Sequence, residues 1–524
     1  MEPPVLPPVS SQSPPRYPPL IEDDPIFRRM VSLHLPEPIP ARTRSGSNPV
    51  LPLGWRTLHP IGIKEGIVPR GYEQQYGGQA FGWRKWRDFA EARRRLISRD
   101  PNIAWTSGQW MTERKGGSDV RGTETVARKL SAAEKSESDG VDANSLPLGP
   151  WRIDGFKWFS SATDANMTIL LAKTSQDGAV SAFYAPLRRR VKGGNGETEL
   201  NGIRIQRLKN KLGTKPVPTA ELELKGMRAY LIGKEGQGVK EISTLLNITR
   251  LQNAIAAAYA KVRMVRNTLL MDMPAHVRKL AQDYVKYAAN MHLTFLLAAL
   301  LGLSEGQDSG PTPAARANIV PQTQREAQAL LRLLTPMVKA QTALRAIKGV
   351  RACMENLGGV GYLENEDPLF NIARIFRDSC VLSIWEGTTD IMADDLIRVA
   401  KGREGSECLA VLGAWVSNVL GAADSKGFGN EARQLRRVWE HWLTGIKTKE
   451  KEQLKWEGRS YLRDLEHVVC GCLLILDASR DRDDVVREIA RRWILGDSTQ
   501  GPWKAQAEWD RRIVFGAALR NTRL

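Results

Sequence analysis

Three short runs of this 524-residue chain carry groups that can do acid–base and ring-binding chemistry. The latest, Ser383-Ile384-Trp385-Glu386-Gly387-Thr388-Thr389-Asp390-Ile391-Met392, sets a carboxylate between a tryptophan and a glycine at the start of a helical pattern. A lone glutamate is usually a solvated surface residue. Here the apolar flanks predict partial burial, which raises the pKa of a carboxyl and suits it to proton abstraction. Glu386 is the candidate catalytic base. The earliest run, Trp110-Met111-Thr112-Glu113-Arg114-Lys115-Gly116-Gly117-Ser118-Asp119, has paired glycines that let backbone amides approach a ligand, with the Thr112 and Ser118 hydroxyls on either side. Between them, Gly155-Phe156-Lys157-Trp158-Phe159-Ser160-Ser161 puts two large aromatics beside two hydroxyls at the end of a strand, where a planar ring can stack and be hydrogen-bonded. Taken singly, the first run also reads as a strand and polar turn, and the middle one as ordinary β core.

The elements that must hold these groups follow from periodicity. From about 101 to 235, the runs GPWRIDGFKWFSS, MTILLAKTS, AVSAFYAPL and TAELELKGMRAYLIG read as strands separated by glycine, proline and charged turns, a small β domain. The serine- and glycine-rich stretch from Lys129 to Pro150 reads as a surface excursion. After Gly238 apolar positions recur at three- and four-residue spacing through ISTLLNITRLQNAIAAAYAKVRMVRNTLL, VRKLAQDYVKYAANMHLTFLLAALLGL and EAQALLRLLTPMVKAQTALRAIKGVRACMENLGG, the pattern of an antiparallel bundle over 236–401. A further helical region is expected over 402–524, with helices near 430–446, 457–480, 483–495 and 503–520 and Trp439, Trp442, Trp493 and Trp509 on their apolar faces. Residues 1–50, rich in proline and serine, are expected to form a flexible leader, and 51–100 a short helical segment.

Composition narrows the class. Hydrophobic residues at 42% and charged residues at 26% are those of a soluble multidomain protein. No run of about 18 or more consecutive apolar residues and no basic-then-apolar start is present, so a soluble, intracellular protein with no membrane partner is expected. The five cysteines (Cys353, Cys380, Cys408, Cys470 and Cys472) lack metal-ligand spacing and argue against structural zinc, any other metal site of that kind, or a disulfide framework. A net charge of +18 favours anionic partners: a nucleotide cofactor, a coenzyme A phosphate or nucleic acid.

In this order the three runs closely resemble the acyl-CoA dehydrogenase superfamily. Its members carry a T-E-x-x-x-G-S-D turn, a strand with a tryptophan or phenylalanine and a flavin-contacting hydroxyl, and a late aromatic-E-G-T motif. The resemblance covers roughly residues 100 to 400. The runs M-T-E-x-x-G-G-S-D-V, K-W-F-x-S, R-L-K-x-K-L-G at Arg207 to Gly213, L-G-G-V-G-Y at 357–362 and S-I-W-E-G resemble the AidB-like branch, which also has an extra C-terminal helical domain.

The resemblance implies an α+β, mostly α fold: a helical N-terminal segment, a central β-barrel-like domain, a C-terminal helical bundle and the extra helical domain. It implies FAD as cofactor and α,β-dehydrogenation of an acyl-CoA or related thioester, with Glu386 removing the α proton. By the same resemblance Gln109, Trp110, Met111, Thr112, Gly117 and Ser118 line the flavin, with Ser118 also reaching the thioester. Phe159, Ser160 and Ser161 form the opposite wall. Glu355, Gly358 and Gly359 meet the adenosine half of FAD, often across a subunit interface. Thr388 and Asp390 touch FAD after the base, and Arg250 stands near the substrate. A homo-oligomer, dimer or tetramer, is implied as well.

Two departures stand out. The span 51–100 is short for the family's N-terminal helical domain, and the basic R-x-x-F-G-type turn expected after AAAYAKVRMVRN is absent. Three other readings stay open: an acyl-CoA oxidase with the same residues, an AidB-like flavoprotein that binds nucleic acid, and a degenerate homologue. The final Thr522-Arg523-Leu524 come near a peroxisomal signal, so cytoplasm and peroxisome are both expected locations.

Overall fold

The computed structural model describes Arg29 and residues 87–96, 98, 100, 102–115, 120–137, 140–174, 179–232, 235, 256–257, 259–304, 319–364, 371–481, 483–496 and 502–516. The leader expected at 1–50 lies outside the described residues except for Arg29, whose guanidinium is pinned to Asp477 and Asp481.

The β part is built from β1 (Ser107–Trp110), β2 (Val126–Lys129), β3 (Trp151–Ser161), β4 (Met167–Lys173), β5 (Val180–Pro186), β6 (Arg188–Arg190), β7 (Thr198–Leu200), β8 (Ile203–Leu208) and β9 (Thr219–Ile232). Pairings β4–β2, β2–β3, β3–β9, β9–β5 and β5–β4 close on themselves into a small barrel, with β1 added parallel to β4 and β8 antiparallel to β9. β6 and β7 form a separate two-stranded ribbon. Period two explains why β4 is buried on both faces. Its Leu170 and Ala172 fill the barrel interior with Trp110, Ile153, Phe183 and Leu222, whereas Met167, Ile169 and Leu171 pack outward with Ala92 and Leu96 of helix α1 (Arg87–Leu96). Within the expected surface excursion at 129–150 lie a short helix, α2 (Ala132–Glu137), and the buried Asp142, whose carboxylate accepts from the Asn144 and Leu146 amides.

The helical part comprises α3 (Pro274–Ser304), α4 (Gln324–Asn356), α5 (Gly359–Tyr362), α6 (Ile372–Ser379), α7 (Thr389–Ala400), α8 (Gly405–Ala423), α9 (Gly429–Thr448), α10 (Lys451–Trp456), α11 (Gly458–Ala478), α12 (Asp484–Leu495) and α13 (Trp503–Phe515). α4 starts on a capping box in which Thr323 and Glu326 satisfy each other's backbone amides, and it runs through Pro336 without ending. One apolar core extends from Ala281 of α3 to Ile513 of α13, so the helices after residue 402 share their core with the bundle. By length and composition α3 and the Gly405–Lys426 run could cross a bilayer. Their buried stripes, Leu293, Leu296 and Leu300 in α3 and Leu412, Val416 and Leu420 in α8, are part of that shared core.

One expectation is corrected here. The pattern read as helix through residue 270 ends earlier: β10 (Met264–Val265) and β11 (Thr268–Leu269) form a small hairpin. Arg266 and Asn267 at its tip both have positive φ, 48° and 61°, the geometry of a tight two-residue turn. Val262 and Met264, which fitted a helical stripe, are exposed.

The two parts are joined by the loop after β8. Gly213 lies so close to the Arg377 carbonyl of α6 that an added Cβ would stand 2.2 Å from its oxygen. The Thr214 amide donates to Asp378 Oδ1 at 2.5 Å. The R-L-K-x-K-L-G run thus docks the barrel on the helix that leads into the Glu386 turn.

Candidate functional site

The barrel half of the site is organised by a buried ion pair. Lys157 of β3 donates to Glu113 Oε1 at 2.6 Å and to the Leu171 carbonyl at 2.8 Å, while Glu113 also accepts from Thr125 Oγ1 at 2.6 Å and from the Glu124 amide. Burial pushes the Glu113 carboxyl up, but the Lys157 charge and these hydrogen bonds outweigh it and hold its pKa below the ordinary value. The consequence is local order. With Glu113 anchored, the Trp158 amide donates to the Thr112 carbonyl at 2.9 Å, so the first and second sequence runs lie side by side.

On this surface Phe159 and Phe156 are exposed, and the Ser161 hydroxyl meets the Thr219 hydroxyl at 2.9 Å. Gln109, Met111 and Thr112 are half-buried. Lys209, paired with Glu221 at 2.8 Å, places its ammonium 3.8 Å from the Trp158 ring centre and 4.4 Å from that of Phe159. Two expectations change. Trp110 does not line an open surface: β-strand alternation turns it inward, it is fully buried in the barrel, and its Nε1 donates to the Ser161 carbonyl at 3.0 Å. It supports the wall from behind. Ser160 is buried too, and its Oγ has no partner among the described residues. Gly117, Ser118 and Arg250, expected at the site, lie outside the described residues.

The helical half presents the carboxylate. The chain leaves the C-terminus of α4, returns along it through α6 and the turn at Cys380–Ser383, and reaches Glu386 immediately before α7. Glu386 and Gly387 both have positive φ, 55° and 102°. For a glutamate this costs on the order of 1–3 kcal/mol, which the surrounding structure must offset. Beneath the turn, Lys339 of α4 is buried and donates to the Gly387 carbonyl. Desolvation by the neighbouring protein raises the Glu386 pKa above its ordinary value, and the Lys339 charge opposes that rise. The carboxylate still opens to solvent, and beside it Ile384 and Trp385 are exposed.

Thr388, the N-cap of α7, makes no capping bond with its side chain. Asp390 is engaged by Arg459 of α11 through two bonds of 2.7 and 2.8 Å. Glu355, Gly358 and Gly359 sit at the far end of α4. Sixteen residues separate Glu355 from Lys339, about 24 Å along a helix. Glu355 is exposed and paired with Arg351, and both glycines have open space where a side chain would stand. The fold therefore brings the barrel residues together, brings Glu386 and Thr388 together, and leaves the Glu355–Gly359 loop apart from Glu386 within one chain.

A cavity of about 880 Å³ opens beside Thr389, between α3, α4, α11 and α12. Six lysines and arginines and two acids line it, and Arg345, Arg459 and Arg492 are spent on Glu466, Asp390 and Asp510. Such a charged lining does not suit an alkyl chain. The exposed apolar residues Ile384, Trp385, Phe159, Leu208 and Leu212 are the chemically compatible surface.

Lys157 and Lys339 carry the site's architecture and were not singled out from sequence. The available signal was a charge in an apolar frame. Lys339 falls on the stripe of Pro336, Ala343, Ala346 and Val350, and Lys157 lies between the strand's aromatics.

Fold and site together define a two-part α+β protein in which a barrel offers an aromatic and hydroxyl wall and a helical bundle offers a carboxylate on a left-handed turn. Residues 108–227 match the acyl-CoA dehydrogenase middle domain and residues 236–401 the acyl-CoA dehydrogenase C-terminal domain. The chain is 38% identical over 351 residues to acyl-CoA dehydrogenase family member 11 of Caenorhabditis elegans, covering 63% of this chain and 50% of that protein. It is 32% identical over 299 residues to the putative acyl-CoA dehydrogenase AidB of Escherichia coli K12, covering 57% of this chain and 49% of that one. Among solved structures, Caenorhabditis elegans ACDH-11 in complex with C11-CoA aligns with a TM-score of 0.64 at 30% identity, over 88% of this chain and 76% of that chain. The apo form of Bd2924 aligns with a TM-score of 0.61 at 26% identity, over 89% and 99%. The chain belongs to the acyl-CoA dehydrogenase family. It spans about half the length of the curated relatives it matches.

Proposed function

We propose that this chain is an FAD-dependent acyl-CoA dehydrogenase in which Glu386 removes the α proton of an acyl thioester. The observation that carries the reading is the Glu386 turn: a carboxylate held in a left-handed conformation, with its pKa raised by the protein around it, and flanked by exposed apolar surface. The residues present fit the cofactor. The exposed Phe159 ring beside the paired Ser161 and Thr219 hydroxyls suits a planar ring with a polar edge. Gln109, Thr112, Phe159, Ser161 and Thr388 would hold the flavin end, and Glu355, Gly358 and Gly359 of a neighbouring copy the adenosine end.

In this reading Glu386 accepts the α proton and becomes the neutral acid, and its backbone N–H would hydrogen-bond the thioester carbonyl as enolate character develops. FAD supplies the acceptor for the β hydrogen, which leaves as hydride, so the products are the α,β-unsaturated thioester and reduced flavin. A medium-chain thioester is the first substrate to try, because the Caenorhabditis elegans relative was solved with C11-CoA. The separation of the Glu355–Gly359 loop from the base supports a homo-oligomer in which that loop serves a partner's cofactor.

Anaerobic titration of the FAD-loaded protein with a panel of acyl-CoA thioesters tests the reading. Bleaching of the flavin is expected for at least one of them. In Glu386→Gln the yellow flavin should persist while the bleaching rate falls by about 10²–10⁴. An unchanged rate in that variant rejects Glu386 as the base.

A further inference from the structure

Lys339 is an ammonium group in an apolar interior. It lies in the middle of α4 at 5% exposure, with Pro336, Met337, Val338 and Ala340 buried around it. An uncompensated charge in such a place opposes folding strongly, so the group must earn its burial through what it contacts. Its hydrogen bond goes to the Gly387 carbonyl, a neutral acceptor. Its counter-charge is Glu386, one residue earlier.

The backbone explains the arrangement. With Glu386 and Gly387 both at positive φ, the turn is a pair of sparsely populated conformations that relax unless something fixes them. An acceptor pinned from below fixes one of the two peptide planes. The carboxylate then stays at the head of the turn while the desolvated side chain keeps a cation within electrostatic reach.

We infer that Lys339 is a positioning residue for the base: it clamps the Gly387 carbonyl to hold the left-handed turn and supplies the charge that balances the Glu386 carboxylate. The role in catalysis rests on the dehydrogenase reading; the clamp and the charge balance do not. The charges on the neighbouring elements leave Lys339 in this position. Asp390 of α7 is taken by Arg459, and Asp395 by Arg332 and Arg398. Lys339, hydrogen-bonded to the residue after Glu386, keeps its charge beside the carboxylate. An arginine can replace the charge, whereas methionine fills the space without charge or donor, and glutamine keeps a donor without charge.

The test is an isotope-edited infrared pH titration of glutamate carboxyls in the full chain without added substrate, with Glu386→Gln assigning the Glu386 band. In K339M and K339Q the protonation midpoint of Glu386 should move to higher pH than in the wild type, and in K339R it should stay near the wild-type position. If K339M fails to fold, K339Q gives the reading. An unchanged midpoint in either folded neutral variant overturns the proposal, as does an Arg variant displaced as far as the neutral ones. With acyl-CoA present, the rising limb of flavin bleaching in the neutral variants should shift to higher pH by the same amount. A shifted infrared midpoint in a protein whose flavin no acyl-CoA bleaches leaves the charge balance standing and rejects the dehydrogenase reading alone.

Discussion

Lys157 Nζ lies 2.6 Å from Glu113 Oε1 in the wall of the barrel, with the lysine wholly enclosed and the glutamate 5% exposed. The pair joins the turn that opens the β region to the strand that carries Trp158, Phe159 and Ser161. Thr125 and the Leu171 carbonyl complete its hydrogen bonds, so neither charge is left with water as its main partner. A pair of this kind adds little net stability over a well-packed apolar pair, but breaking it is expensive because one charge stays buried alone.

Lys157→Met should therefore cost about 3–5 kcal/mol, read as a lower urea midpoint of the barrel's unfolding transition. FAD retention should fall with it, because the Glu113 carboxylate would turn toward water and take Thr112 out of register with Trp158. Replacing both partners, Lys157→Met with Glu113→Leu, should recover much of the lost stability without recovering FAD binding. Full retention of flavin in the stable double variant would show that the pair does not order the site.

Gly387→Ala tests the turn itself. At φ 102° an added side chain is strained whatever the space, and here its Cβ would also stand 2.5 Å from Met392 Cε. The methionine end can move aside, so the backbone term dominates and the expected loss is about 1–3 kcal/mol. The rate of flavin bleaching should fall more than substrate affinity does, because the displaced group is the proposed base. A folded variant with a wild-type rate would mean that the turn conformation is incidental.

Asp477 anchors the N-terminal Arg29 to α11 through bonds of 2.9 and 3.1 Å to Arg29 Nε, and its side chain is fully enclosed. Burial raises its pKa, but the His292 ring 3.4 Å away and the charge and hydrogen bonds of Arg29 outweigh that and hold the carboxyl well below the usual range. A depressed carboxyl stabilises the fold above its unfolded pKa and loses that contribution as the pH falls through the folded value. Asp477→Asn should cost about 1.5–3 kcal/mol at neutral pH, the worth of a hydrogen bond to a charged group. The gap between variant and wild type should close on acidification. A gap independent of pH would locate the effect in packing.

Much of this architecture is legible in the sequence, and the illegible parts share a cause. The strands at 151–161, 167–173, 180–186 and 219–232 announce themselves because β-branched and aromatic runs stop at glycine and proline, and Glu386 because its neighbours are apolar. The resemblance to known relatives implies roles that spacing alone does not. Lys157 and Lys339 stayed hidden because a charge inside an apolar pattern reads as surface until its partner, 44 residues away for Lys157 and 48 for Lys339, is known. The hairpin at Arg266 and Asn267 was missed because Val, Met and Leu at 262–269 fit a helical period as well as a strand's. α8 was also passed over, although Leu412, Trp415, Val416 and Val419 follow a plain helical stripe.

The pH dependence of proton removal gives the most direct check on the site. Burial raises the Glu386 pKa above its ordinary value, while the Lys339 charge opposes the rise without cancelling it. A base works only when ionised, so the rate of anaerobic flavin bleaching should climb with pH through a single ionisation displaced above the ordinary glutamate value of about 4.3. The same shift has a thermodynamic sign. The folded state keeps this proton to higher pH than the unfolded chain, so stability from this group is present below the unfolded pKa and is lost as the pH rises through the folded one. Stopped-flow bleaching and urea unfolding over one pH range should therefore move in opposite directions across the same midpoint, and Glu386→Gln should remove that feature from the stability curve. A rate already at its plateau in weak acid would mean that Glu386 titrates as an ordinary exposed glutamate and that its burial does not tune it.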